Sequence, residues 1–235
     1  DYDVAVKVYE NIIALVDYDT VGLEKQKKTE GSAEIPDDLR SIYGVFVNRK
    51  AVCAGYAKAT QYLMNLMGIE CTYVTSDTHA WNLIKLEGEY YHLDTTWGDS
   101  SNTEQNHAQS DTIDYDCFCI TTEEVEKLES HKATGTLPLP QCTATKCNYH
   151  RRNGLFLEKY DLGIIRDIVL DNTMSNVLDS SFKCADQNVF KKFKHELVDN
   201  GKMHEVIQYV NLKSKTKLKT EYRYSVKDER LIISF

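Results

Sequence analysis

Three residues of this chain have the side-chain types that do covalent chemistry together: Cys53, His79 and Asp94. A thiol becomes a nucleophile when its ionised form is favoured, and a helix N-terminus helps by placing partial positive charge beside the sulfur. An imidazole must lie within hydrogen-bond reach to take the thiol proton. A third group must hold that imidazole in the right tautomer and steady its cation. Cys53 opens the run Cys53-Ala54-Gly55-Tyr56-Ala57, followed by Leu63, Met64 and Met67 at helical intervals and by Gly68, a natural stop. The spacing predicts a helix over about 53–67 with the thiol at its start. The small residues let that start approach other backbone closely, and the Cys53 N–H can donate to an oxyanion.

Strands must bring the other two groups to the thiol. Glu70–Thr75 is rich in β-branched and aromatic residues, and His79–Leu86 and Glu89–Trp97 flank Glu87-Gly88, a tight-turn signal. A two-residue turn pairs Leu86 with Glu89, which sets Trp81 opposite Asp94 and His79 opposite Thr96. Side chains alternate faces, so His79, Asp94 and Thr96 share one. His79 and Asp94 become diagonal neighbours, roughly 7–8 Å apart at the backbone and within side-chain reach. His92 has the same parity as Asp94 and is a rival base. Spacing alone leaves other readings open: a hydrogen-bonded strand histidine for His79, and a surface or turn-capping carboxylate for Asp94.

Three short motifs favour the catalytic reading by resemblance. Ala51-Val52-Cys53-Ala54-Gly55-Tyr56-Ala57, Thr78-His79-Ala80-Trp81-Asn82 and Tyr91-His92-Leu93-Asp94-Thr95-Thr96-Trp97 stand in the order Cys, His, Asp. In that order they resemble the core of the transglutaminase-like superfamily, most of all its bacterial members. The likeness covers about 40–100, with a weaker stretch over 115–160 that includes Leu137-Pro138-Leu139-Pro140-Gln141-Cys142-Thr143.

The resemblance implies Cys53 as nucleophile, His79 as general base and acid, and Asp94 as the orienting carboxylate. It implies an α+β fold, a papain/transglutaminase-like core in which a helix bearing Cys packs on an antiparallel sheet bearing His and Asp. The whole of 1–235 then reads as a single transglutaminase-like domain, with its catalytic core over about 1–120 and a C-terminal helix-plus-hairpin elaboration over about 150–235. The activity implied is acyl transfer: a thioester forms from a protein or peptide carboxamide, or from a peptide carbonyl, and amine or water resolves it. No metal or organic cofactor is implied. Two points depart from the family pattern. His92 stands where an aromatic residue is expected, and the second oxyanion donor is not fixed by motif, Tyr18 and Tyr43 being the candidates. Trp81 and Trp97 are expected to wall the cleft. The alternative is a non-catalytic binding or scaffold module of the same fold at the cell surface.

Seven cysteines make an odd set, Cys53, Cys71, Cys117, Cys119, Cys142, Cys147 and Cys184, so at least one cannot pair within the chain. With Cys53 free, six remain, enough for three disulfides in an exported domain or for buried thiols in a core. Cys117, Cys119, Cys142 and Cys147 are the candidate set for a structural zinc, although their spacing is unlike the usual patterns.

Composition sets the outer bounds. With 28 basic and 36 acidic residues in 235, the net charge of −8 argues against broad binding to nucleic acid. No apolar run approaches the ~20 residues that a bilayer requires. The chain starts at Asp1, without Met or a signal peptide, and reads as a piece of a longer precursor, which with the bacterial likeness suggests an extracellular or cell-surface setting.

Elsewhere, Val4, Val8, Ile12 and Leu15 mark a first helix, 22–38 and 100–114 read as loops, and Thr121-Thr122-Glu123-Glu124 reads as a capping box. Near the end, Leu218, Thr220, Tyr222, Tyr224 and Val226 alternate with charged residues, which predicts a half-buried strand. Lys213, Lys215, Lys217 and Lys219 lie along its approach as a solvated face, or as a patch for an anionic partner.

Overall fold

A computed structural model of the chain describes residues 1–21, 36–99, 113–135, 138–227 and 229–235. The loops expected at 22–38 and 100–114 lie largely outside these residues, as do Leu137 of the weaker family-like stretch and Asp228. Contacts divide the chain into two compact units, 1–149 and 150–235. The architecture is mixed α and β, with one fully antiparallel four-stranded sheet and one mixed sheet, compatible with the α+β class.

The first unit opens with α1 (Tyr2–Leu15), which buries Tyr2, Ala5, Val8, Tyr9 and Ile12 and leaves Val4 exposed. Strands β1 (Asp17–Tyr18) and β2 (Lys50–Ala51) pair in parallel, with Tyr18 opposite Ala51. The helix α2 (Cys53–Leu66) follows at once and ends before Gly68, whose φ of +80° suits glycine. Three antiparallel strands come next: β3 (Cys71–Thr75), β4 (Ala80–Leu86) and β5 (Glu89–Leu93). The turn between β4 and β5 has positive φ at both Glu87 and Gly88, the geometry of a two-residue hairpin, and Leu86 pairs with Glu89 as the sequence predicts.

The predicted last strand is shorter than expected. It stops at Leu93, and Asp94 instead caps the one-turn helix α3 (Thr95–Gly98). The short strand β6 (Phe118–Ile120) completes the sheet in the order β3-β4-β5-β6. Thr121 and Glu124 form the predicted capping box of α4 (Thr122–Glu126), and a 3-10 turn covers Glu129–His131.

Helix and sheet close on a core of Tyr9, Ile12, Tyr56, Met64, Ile84, Leu86, Tyr91, Leu93 and Phe118. Three polar links fix how α2 sits on the sheet. Asn82 of β4 donates to the Ala57 carbonyl at 2.9 Å. Thr60 of α2 meets Thr95 of α3 at 2.9 Å. The Tyr56 hydroxyl reaches Asp99 at 2.7 Å and the Val16 carbonyl at 2.8 Å. These links set the start of α2 against the ends of β4 and β5.

The second unit has its own core around Phe182, Phe193, Leu197, Val206 and Leu231. Its sheet runs β7 (Phe156–Leu157), β8 (Asp179–Cys184), β10 (Arg230–Ser234) and β9 (Arg223–Lys227). Helices α5 (Leu162–Met174), α6 (Gln187–Lys194) and α7 (Lys202–Lys213) cover it. Of the half-buried strand expected from Leu218 onward, only the stretch in β9 forms. Leu218 is buried outside any strand, held through its backbone by Asn211, and β9 exposes every one of its residues. Lys217 folds back onto the carbonyls of Asn211 and Ser214, and Lys213, Lys215, Lys217 and Lys219 are all exposed, as the solvated-face reading expects. Among the described residues, no helix is long and apolar enough to cross a membrane.

Candidate functional site

Cys53 stands at the first turn of α2 and is half-buried, whereas the other six thiols are buried. All seven are free. The close approach predicted for the helix start is present: a Cβ added to Gly55 would lie 2.7 Å from the Leu39 carbonyl oxygen. The Val52 N–H donates to that same carbonyl, which pins the segment entering the helix.

His79 and Asp94 lie one residue beyond the paired ends of β4 and β5, on the shared face that the register predicts. The His79 Nε2 lies 2.6 Å from Asp94 Oδ2, and both side chains are almost fully buried. An ionised carboxylate only accepts, so His79 carries its proton on Nε2 and turns Nδ1 away from Asp94. Burial opposes a charge on His79. The Asp94 carboxylate, through its charge and its hydrogen bond, and the neighbouring Cys53 thiol outweigh it and push the imidazole up to about 10. Asp94 Oδ1 accepts from the backbone N–H groups of Thr96 and Trp97 at 2.8 and 3.0 Å. The capping reading and the orienting reading of Asp94 therefore describe two oxygens of one carboxylate. Burial disfavours its charge, but the two imidazoles that face it hold the carboxyl well below the usual range.

The second of those imidazoles belongs to His131, which the sequence reading did not single out. Its Nε2 lies 2.7 Å from the same Asp94 oxygen that His79 uses. It sits 37 residues from Asp94, in a 3-10 turn with no periodicity to mark it. Ser76 ties the two histidine segments together: its Oγ accepts from the His79 N–H at 3.0 Å and donates to the Ser130 carbonyl at 2.6 Å.

Of the two upstream tyrosines, only Tyr18 reaches the site. Pairing of β1 with β2 carries it to the start of α2, where Cys53 is its electrostatic neighbour. Burial and the neighbouring sulfur push this phenol well above its ordinary value, which keeps it a donor at neutral pH. Tyr43 is 55% exposed.

The rival base His92 is bound elsewhere. Its Nδ1 accepts from the Trp81 indole N–H at 3.1 Å, and burial, with His131 nearby, lowers it to about 4. It stays neutral and shares that lone pair with Trp81. Trp81 is core, stacked 6.1 Å from His79, whereas Trp97 is 43% exposed and borders an open cleft of about 620 Å³. Ser76, Thr78, Glu129 and Ser130 also line this cleft. Trp97 lines this cleft and Trp81 does not; Cys53, His79 and Asp94 are not among its lining residues.

The four cysteines suggested for zinc fall in three separate clusters, Cys117 near Val125, Cys142 near Trp81, and Cys119 and Cys147 in the main core. They do not converge. The only group of three or more potential ligands among the described residues is His79, Asp94 and His131. Its nitrogen–oxygen separations of 2.6 and 2.7 Å are hydrogen bonds. Ligands about 2.0–2.1 Å from a tetrahedral zinc would stand roughly 3.3 Å apart.

No family model matches the chain, and no curated protein is similar to it. Among solved structures, one described as a crystal structure of a TGase is similar over 44% of this chain, at 16% identity and a TM-score of 0.35. The chain spans only 34% of that neighbour's length. A likeness of that size carries no argument about chemistry.

Proposed function

We propose that the first unit is a transglutaminase-like cysteine acyl-transfer centre, with Cys53 as nucleophile, His79 as base and acid, and Asp94 as orienting carboxylate. The observation that carries this reading is the single imidazole shared by Asp94 and the half-exposed thiol at a helix start. Cys53 and His79 react as a thiolate–imidazolium pair, the thiol's proton resting on His79 Nδ1, and the sulfur attacks a carboxamide carbon. The oxyanion takes the Cys53 N–H and the Tyr18 hydroxyl, which the β1–β2 pairing brings near one another. His79 then returns its proton to the departing nitrogen, the C–N bond breaks, and ammonia leaves a thioester. A primary amine or water, deprotonated by His79, attacks the thioester and releases the thiol. The scaffold-module alternative would be favoured by a His79 remote from Cys53, and here the thiol is among the groups that act on the imidazole.

Incubation with a Gln-rich protein such as casein and a labelled primary amine, read by mass spectrometry, tests this reading. Amine incorporation, a gain of one mass unit per deamidated Gln, and backbone cleavage are three distinct signatures. Any of them lost in the Cys53→Ala variant supports the reading, and none above the variant's background removes it. Tyr18→Phe keeps the ring and deletes the donor. It is expected to lower turnover by about 10²–10³ while leaving Cys53 alkylation by iodoacetamide within a few-fold of the parent. Equal turnover in Tyr18→Phe would exclude an oxyanion role.

A further inference from the structure

We propose that His131 is a positioning residue of this site, a second imidazole that clamps Asp94 and limits how much of its negative charge reaches His79. The inference rests on the reading of Cys53, His79 and Asp94 above.

Asp94 has about four acceptor positions, and the structure fills them all. Two backbone N–H groups occupy Oδ1, and the two imidazoles occupy Oδ2 at 2.6 and 2.7 Å, lengths typical of charge-assisted hydrogen bonds. Both rings must therefore present Nε2–H to the carboxylate. The other nitrogen of His131 lies 3.0 Å from Ser130 Oγ, so this ring is held at both ends. Its side chain is 0% exposed and lies edge-on to His79 at 4.7 Å, with Trp81 at 4.8 Å and Trp97 at 5.0 Å. Filling space among two indoles does not call for an imidazole, since a buried polar ring costs desolvation unless its nitrogens are matched.

A carboxylate oxygen that accepts from two rings pulls less strongly on either proton. Without His131, Asp94 would hold the His79 proton more tightly. His79 would still assist formation of the thiolate, but it would be a poorer acid toward the leaving nitrogen. The groups that face His79 are Asp94, Cys53 and His131, with Tyr18 beyond the thiol, His92 behind Trp81, and Asp77, Glu129 and Lys132 around the cleft.

The test uses His131→Phe, which keeps a ring and removes the donor, and His131→Gln, whose amide can donate from nearly the same place. Two rates are followed against pH: Cys53 alkylation by iodoacetamide, and amine incorporation into casein. In His131→Phe the alkaline limb of the alkylation profile should move up by about one pH unit. Amine incorporation at neutral pH should fall about tenfold while alkylation is unchanged or faster. His131→Gln should return the limb toward the parent. An unmoved limb in His131→Phe overturns the proposal, as does a His131→Gln variant that behaves as His131→Phe does. Should His131→Phe fail to fold, ring-nitrogen NMR of the unaltered protein decides. His131 must appear as the Nε2–H tautomer at neutral pH, with a resonance that moves as His79 titrates, and an Nδ1–H tautomer overturns the proposal. If Asp94→Asn is also without effect on turnover, the underlying triad reading fails. If Asp94→Asn is inactive and His131→Phe is unchanged, only this inference fails.

Discussion

Asp94→Asn is expected to lower turnover about 10⁴-fold while leaving the protein folded. Asn is as good an N-cap as Asp, so its oxygen can keep the Thr96 and Trp97 N–H groups and hold α3 in place. Its amide nitrogen then faces His79 and His131, where the carboxylate accepted two protons. Both rings must present a lone pair at Nε2 and carry their proton on Nδ1. For His79 that puts N–H where the base must receive the Cys53 proton. The cation also loses its counter-charge. Folding should respond to pH in the same terms. His79 is raised from 6.5 to about 10, so its contribution to stability is full below about 6.5, declines above it, and is gone above about 10. Steady-state assays with casein and a labelled amine, beside circular dichroism melts, check both points. An Asp94→Asn protein that keeps a tenth of the parent rate would sink the orienting role.

Cys53→Ala should remove turnover altogether, a loss on the order of 10⁶-fold against the parent. It should also remove the one rapid site of alkylation. The other six thiols are buried, and burial holds Cys71 and Cys184 up to about 12, far from ionisation at neutral pH. Native protein treated briefly with iodoacetamide should gain one adduct, mapped to Cys53 by peptide mass spectrometry, and Cys53→Ala should gain none. Faster labelling at any other cysteine, or residual turnover near the parent rate, contradicts the assignment of the nucleophile.

The parts of this site legible in sequence were those governed by local rules. A two-residue turn at Glu87-Gly88 dictates the pairing of β4 with β5, and with it the shared face of His79 and Asp94. Small residues after Cys53 and the stop at Gly68 bound α2 within a residue or so. What escaped was decided by distant contacts. Asp94 ends its strand early because its carboxylate caps the next turn, a competition that alternation does not record. Tyr18 could be narrowed only to a pair of candidates, because the β1–β2 pairing that delivers it spans two residues per strand. His131 carried no signal, since a 3-10 turn of three residues shows neither period nor motif. The alternation from Leu218 to Val226 misled at its start because side-chain hydrogen bonds from Asn211 bury Leu218 without any strand. The division near residue 149 has no linker composition to mark it, since it is the packing of each side onto its own core that defines it.

Asp94 has a consequence for lineage as well as for chemistry. One side chain starts α3 and meets two buried imidazoles, so selection for a folded chain retains Asp there, or the Asn that caps equally well, whether or not the chain catalyses anything. Cys53 has a half-buried thiol, so its loss would disturb the fold far less. On the proposed reading, a descendant that drifted into a scaffolding role would be free to lose the sulfur while still keeping a capping Asp or Asn at position 94. In comparing such descendants, that cap is a record of folding, and the thiol is the residue that bears on acyl transfer.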